Sequence, residues 1–294
     1  MFHVSCSRRC PSYMKRVLTA IVLIACVVAL IFRGQPWMLS AATCLVAELA
    51  AYEFLALTRP SGARVPLWWM LSGTAAVFLF TLPEYHYQEA ELPVIGLLMI
   101  VLMAWTAFRN NVERVLPDTA LGVFGLVYVA YPLSLLPLIW MREDGKPLLL
   151  FLMVCVWAGD IVALYTGRMF GRHRLSALSP KKTWEGSIGS LAGSVLAGLA
   201  IVYGGEYLLR RGDTLLHIVE PVWQSVLLAV VINLAAQLGD LLESAIKRGA
   251  GVKDSGAMLP GHGGILDRID ALLLAAPVLW CVLLLKDAVG PGRF

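Results

Sequence analysis

Charge is scarce in this chain. Charged side chains make up 15% of the 294 residues and apolar ones 59%, where soluble globular chains carry about 25% and about 45–50%. That shortage argues against an ordinary soluble domain, whose surface needs ions. The net charge is only +4, far from the basic footprint that holds nucleic acid, so no nucleic-acid partner is expected. The cysteines are Cys6, Cys10, Cys26, Cys44, Cys155 and Cys281. Four of them fall inside apolar runs and none is spaced as a metal ligand, so neither a disulfide framework nor a thiolate site is expected. Internal repeats and low-complexity segments are also missing. A basic N-terminal stretch (Arg8, Arg9, Lys15, Arg16) precedes an apolar run, yet no small-residue cleavage site follows, only Arg33-Gly34-Gln35-Pro36. An uncleaved first span is expected.

Apolar length is what the chain has in abundance. Runs at 17–32, 37–57, 66–82, 92–108, 119–141, 147–167, 187–209, 222–243 and 271–286 approach the ~20 residues that a membrane-crossing helix needs. The reading is an all-α polytopic integral membrane protein of about nine transmembrane helices. Prolines 60, 66, 83, 93, 117, 147, 221 and 291 lie near run ends, where they cost least, while Pro132, Pro137 and Pro277 lie inside. With the N-terminus in the cytosol, seventeen Lys and Arg fall in cytoplasmic segments and seven in the others, the asymmetry that orients membrane proteins. Residues 1–146 read as N-terminal transmembrane helices without a motif, and 147–294 as the catalytic transmembrane region of the same unit.

Two polar loops interrupt the grease on the expected cytoplasmic side. Residues 244–270 hold Asp254, Asp267 and Asp270, which suit Mg²⁺ as hard oxygen ligands. They also hold Lys247, Arg248, Lys253 and Arg268, cations for phosphate oxygens, and Gly261, Gly263 and Gly264 around His262, where backbone can approach a ligand. Carboxylates for a metal, cations for phosphates and a glycine-rich turn are the parts of a phosphoryl-transfer site. The preceding run carries Asn233, Gln237, Asp240, Ser244 and Lys247 in steps of four and three, one face of a helix. Asn233 alone reads as interhelical glue, whereas Asp240, Ser244 and Lys247 lead into the loop. The second loop, 168–186, carries Lys181 and Lys182 after a Ser179-Pro180 turn, and Asp160 sits near the end of the run before it. Lys181 and Lys182 read either as phosphate ligands or as a positive anchor. Gly189 and Gly193 form a helix-packing motif. His3, His86, His173 and His217 lack clustered partners and read as surface residues. Glu48 and Glu53, five apart in an apolar run, read as structural or water-contacting.

The run Ser244–Asp270 resembles the motif of the phosphatidate cytidylyltransferases, the CDP-diacylglycerol synthases. That motif runs S-x-apolar-K-R-x₄-K-D-x-small-x₂-apolar-P-x-H-G-G-apolar-x-D-R-apolar-D, and each fixed position is met. SPKKTWEG, Ser179–Gly186, and the D-x-x-A-x-x-x-G-R stretch, Asp160–Arg168, are similar to further family motifs. The likeness covers roughly 147–286. It implies an all-helical membrane enzyme and a homodimer that makes CDP-diacylglycerol and diphosphate from CTP and phosphatidic acid. It implies Mg²⁺, with a monovalent cation such as K⁺ beside it, held by carboxylates matching Asp240 and Asp267; on the charge reading of the loop, Asp254 or Asp270 is expected as a further ligand or an outer partner of the metal. Ser244 matches a functionally important family serine. Asp240, Ser244, Lys247 and Asp267 are therefore expected to carry the chemistry, and Asp160, Lys181, Lys182, Arg248, Lys253, His262 and Arg268 to bind substrate. The active site is expected at the cytoplasmic side of a bacterial cytoplasmic membrane.

Two rivals fit less well. CDP-alcohol phosphotransferases resemble D-G-x₂-A-R-x₈-G-x₃-D-x₃-D, which this chain lacks. An ion-coupled transporter would show repeated halves with broken spans near the midplane, while the charges here gather in two loops.

Overall fold

The structure is a computed structural model that describes residues 10–82, 91–109, 112–218, 221–256, 258 and 263–289. Among these residues no strand forms, and the chain is helical almost throughout. Helix α1 spans Cys10–Arg33, α2 Pro36–Thr58, α3 Leu67–Leu79, α4 Glu91–Arg109, α5 Val115–Gly125, α6 Tyr131–Trp140, α7 Gly145–Phe170, α8 Trp184–Leu209, α9 Val222–Gly249, α10 Leu266–Ile269 and α11 Leu272–Val289. Each apolar run coincides with a helix, and the run at 119–141 with α5 and α6 together. This follows from the solvent: in hydrocarbon every backbone N–H and C=O must be paired internally, and a helix does that within one segment.

Six stretches are long and apolar enough to cross a membrane: Pro36–Ser61, Val112–Trp140, Gly145–Phe170, Trp184–Leu209, Val222–Gly249 and Leu266–Val289. Ile21–Arg33, Leu67–Leu79 and Pro93–Arg109 are apolar but shorter. Between α5 and α6 the helix widens into a π-turn, Leu126–Ala130, where the N–H of Tyr131 reaches back five residues to the Leu126 carbonyl. Pro132 follows directly. With no N–H of its own it cannot continue the regular ladder, and the wider turn takes up the mismatch.

Helices α7, α8, α9 and α11 form one packed group, and α2 and α6 join it to α3, α4 and α5. The α7–α8 contact is close because Gly189 and Gly193 face α7. A Cβ on Gly193 would stand 2.7 Å from a Val162 methyl, and one on Gly189 would run into Thr166. The upper half of the polar stripe on α9 ties these helices together. Asn233, 1% exposed, donates to Ser190 Oγ at 2.9 Å and Ser194 Oγ at 2.7 Å. Gln237 donates to Asn233 Oδ1 at 2.6 Å and receives the Ser187 hydroxyl at 2.5 Å. Such bonds are worth about 0.6 kcal/mol each in membranes, up to about 1.7. Their greater value is directional, since they fix the rotation of α9 and aim its lower half elsewhere. At the opposite end of the bundle Arg142 forks onto Asp287 with two 2.8 Å bonds, pinning the start of α7 to the end of α11.

Candidate active site

Helices α7 and α9 end, and α8 and α10–α11 begin, on the same side of the bundle, so both polar loops meet there. The direct link is an ion pair between Lys182 and Asp240. The 171–183 loop presents that lysine by folding on itself. The N–H of Leu175 donates to the Lys182 carbonyl at 2.8 Å, that of Lys182 to Ser179 at 3.0 Å, and that of Trp184 to His173 at 3.0 Å. Thr183 then caps α8, accepting the Gly186 N–H at 3.1 Å, a hydroxyl satisfying an otherwise unpaired helix N-terminus. Neighbouring residues of this extended turn point apart: Lys182 is half-buried against Asp240, and Lys181 is exposed. His173, expected to stand alone on the surface, is exposed but pairs its Nδ1 with Glu185 at 2.7 Å.

Below the glue on α9, the helix end and residues of the 244–270 loop border a polar cavity of about 630 Å³, lined by Asp160, Asp240, Lys247, Lys253, Asp254, Gly263, Asp267, Arg268, Asp270 and Ala271. Its size falls within the ~300–1,000 Å³ of small-molecule sites. Asp160 comes from α7, Asp240 and Lys247 from α9, Asp267 and Arg268 from α10, and Asp270 from the turn before α11. Asp267 is the most heavily bonded. It receives Lys247 Nζ at 2.6 Å, the Ser255 N–H at 3.1 and 3.2 Å on its two oxygens, and the Gly264 N–H at 3.0 Å. Gly263 turns the chain into α10 with a φ of +82°, a left-handed conformation that glycine adopts without strain.

Lys247 has a second partner that the sequence reading did not single out. Glu243, with a side chain 0% exposed, forms an ion pair with Lys247 one turn on. The spacing held the clue: Glu243 is three residues after Asp240 and four before Lys247, hence close to the same face. Glu53 of α2 also reaches this region. Read as structural or water-contacting, it is 2% exposed and accepts the Ser255 hydroxyl at 3.0 Å and the Leu266 N–H at 2.9 Å. Gly264, expected to let a ligand approach, is instead packed against Glu53 and Ser255.

Of the other expected site residues, Ser244 is half-buried on α9 and does not line the cavity. Arg248 is exposed at the end of α9 and donates to the Val252 carbonyl at 3.2 Å. Lys181 stays outside, and His262 lies outside the described residues. Five carboxylates (Asp160, Asp240, Asp254, Asp267 and Asp270) open onto the one cavity. That donor set, all hard oxygen, fits a cation such as Mg²⁺. Among the described residues no three acidic, histidine or cysteine side chains already close on one point, and lysines hold Asp240 and Asp267.

Comparison with known proteins covers this region and extends beyond it. The pattern that defines the cytidylyltransferase family matches residues 14–285, so the likeness includes the N-terminal helices in which no motif was legible. The chain is 32% identical over 295 residues to a phosphatidate cytidylyltransferase of Synechocystis, with 90% of this chain and 94% of the relative covered. It is 32% identical over 279 residues to one from Mycobacterium tuberculosis, with 90% and 79% covered. It is 30% identical over 268 residues to one from Staphylococcus aureus, with 90% and 96% covered.

Proposed function

The chain belongs to the cytidylyltransferase family, and on that premise we propose that it transfers the cytidylyl group of CTP to phosphatidic acid, a step of phospholipid biosynthesis. It is a nucleotidyltransferase. The observation that carries the substrate reading is the cavity itself: acids and bases of α7, α9 and the 244–270 loop, with Lys182 of the other loop paired to Asp240, gathered at one end of apolar helices. One substrate is a lipid whose acyl chains stay in the bilayer, and the other arrives from water. An oxygen of the lipid phosphate forms a bond to the α-phosphorus of CTP. The bond from that phosphorus to the bridging oxygen breaks, and diphosphate leaves with the electron pair. The nucleophile is already anionic at neutral pH, so the chain's task is positioning and charge neutralisation.

Lys247, Lys253 and Arg268 line the cavity and would grip phosphate oxygens there, with Lys182 joining from the rim. The 2.6 Å bond to Asp267 holds Lys247 at the cavity. Asp240 and Asp267, with Asp254 and Asp270, would hold Mg²⁺, and a monovalent cation such as K⁺ is proposed beside it. Once bound, such metal would neutralise charge on the nucleotide phosphates. Purified protein supplied with α-labelled CTP and phosphatidic acid should move label into the lipid phase. Label that stays in water, or that needs a different acceptor, would sink this reading. A homodimer belongs to the same proposal, and a protomer-sized mass in native mass spectrometry from detergent would refute it.

Nine crossings with both polar loops in the cytosol are proposed from the seventeen-to-seven distribution of Lys and Arg. Single cysteines at the exposed positions Ala177 and Val252, in a background without other cysteines, should resist an impermeant thiol reagent in intact cells and react after lysis. Labelling of either before lysis contradicts the topology.

The lysine pair gives a sharper test. If the loop were only a positive anchor, Lys181 and Lys182 would be interchangeable. With Lys182 on Asp240 and Lys181 outside, Lys182→Ala should lower kcat/KM for CTP by about 10–100-fold, and Lys181→Ala by less than about threefold. Lys182→Arg should rescue poorly, because a planar fork does not replace a compact ammonium. Equal, small losses in all variants would remove this loop from the site.

A further inference from the structure

The two ends of the glycine-rich loop, at Ser255 and Gly264, are held by two carboxylates from distant parts of the chain. Asp267 binds the backbone N–H groups of Ser255 and Gly264, the two ends of the loop. Glu53, on α2, binds the Ser255 hydroxyl and the N–H of Leu266 with the same oxygen, Oε2. Ser255 is therefore gripped from both sides, by its hydroxyl and by its backbone. Leu266 opens α10, so its N–H has no partner within the helix. Glu53 supplies one from 213 residues away, doing across the fold what a capping side chain does locally.

The surroundings are shaped to this glutamate. Ser255 is 5% exposed and Leu266 0%. A Cβ on Gly256 would stand 2.8 Å from Glu53 Cδ, and one on Gly264 would stand 2.9 Å from it. Two glycines of the loop thus make room for a side chain rather than for a ligand. The second oxygen, Oε1, is buried with no hydrogen-bond partner. A carboxyl group within an apolar span is expensive, and one that persists there marks a role.

We propose that Glu53 is a positioning residue for the reaction. It fixes Ser255 and the first residue of α10, and through them the orientation of Asp267 at the cavity wall. The proposal rests on the functional reading above, because it takes Asp267 to serve transfer. It also gives the N-terminal half of the chain a part in the active site.

The test compares Glu53→Ala, Glu53→Gln and Ser255→Ala in purified full-length protein, by steady-state kinetics and by hydrogen–deuterium exchange. Glu53→Ala should lower kcat about 100-fold, the scale of a misplaced reacting group, while KM for CTP moves less than about threefold. The amides of Ser255 and Gly264, which bond Asp267 and not Glu53, should exchange faster. Glu53→Gln keeps an oxygen that can accept both bonds, and should stay within about tenfold of wild type. Ser255→Ala removes one of the two bonds and should cost about tenfold in kcat. It keeps the test open if Glu53→Ala fails to fold. Wild-type kcat in Glu53→Ala or Ser255→Ala overturns the proposal. So does a loss of kcat with unchanged exchange at those amides, or an equal loss in the Gln and Ala variants. If wild-type protein fails to label phosphatidic acid, the functional reading falls instead, and the exchange data still report whether Glu53 orders the ends of the loop.

Discussion

Asp267→Asn should lower kcat by more than about 100-fold while the protein remains folded in detergent. Loss of an outer partner of a metal ligand alone costs about 10–100-fold, and this change removes the charge of the proposed ligand itself. It also disturbs a crowded donor shell. Asp267 accepts from Lys247 Nζ at 2.6 Å and from the N–H groups of Ser255 and Gly264 at 3.0–3.2 Å. An amide offers one oxygen to them and turns its NH₂ toward another donor, so at least one bond becomes a repulsion. Folding should survive because Lys247 keeps Glu243 as a partner and Glu53 still ties Ser255 and Leu266. Asp240→Asn should behave similarly, having lost its pairing with Lys182. The measurement is kcat at saturating Mg²⁺ with a thermal melt on the same samples. Activity above about a tenth of wild type, a barrier change of only about 1.4 kcal/mol, would show that Asp267 is not a ligand the reaction needs.

How much of this was legible beforehand depended on distance along the chain. The helices were readable because hydrocarbon leaves a segment few alternatives, and most of their bounds agree with the apolar runs to within four residues, although α1 begins seven residues earlier and α9 ends six later. The meeting of the two loops was foreshadowed by their shared side and composition. The cavity then gathers Asp160, Asp240, Lys247, Lys253, Asp254, Asp267, Arg268 and Asp270, all singled out from sequence. Ser244 shows the limit of a 3-and-4 stepping rule. It keeps the spacing, yet it lies on the far side of Asp240 from Glu243, and the stripe it belongs to is glue above and cavity below. Glu243 satisfies the same spacing but falls outside the stripe that runs through Ser244. Glu53 could not have been placed from sequence at all. Its partners lie 202 and 213 residues away, and one of them is a backbone N–H, which leaves no mark in the sequence.

Lys247→Met should abolish transfer and also destabilise the fold, and the two effects should separate. Lys247 stands between Glu243 and Asp267, with side chains 0% and 12% exposed. Removing its ammonium leaves Glu243 buried without a counter-ion, and breaking a buried pair from one side costs about 3–5 kcal/mol. The double variant Lys247→Met/Glu243→Gln removes both charges. It should recover most of that stability, since replacing both members of a buried pair is often neutral. It should not recover activity, because the cavity still lacks the cation that bonds Asp267 and lines its wall. Glu243→Gln alone should keep activity within about tenfold, leaving Lys247 on Asp267. Thermal melts and labelled-CTP turnover on the four proteins decide it. If the double variant regains wild-type turnover, Lys247 serves only to neutralise Glu243 and has no part in binding phosphate. If Lys247→Met melts with the wild type, the buried ion pair is not a structural requirement of the α9 end.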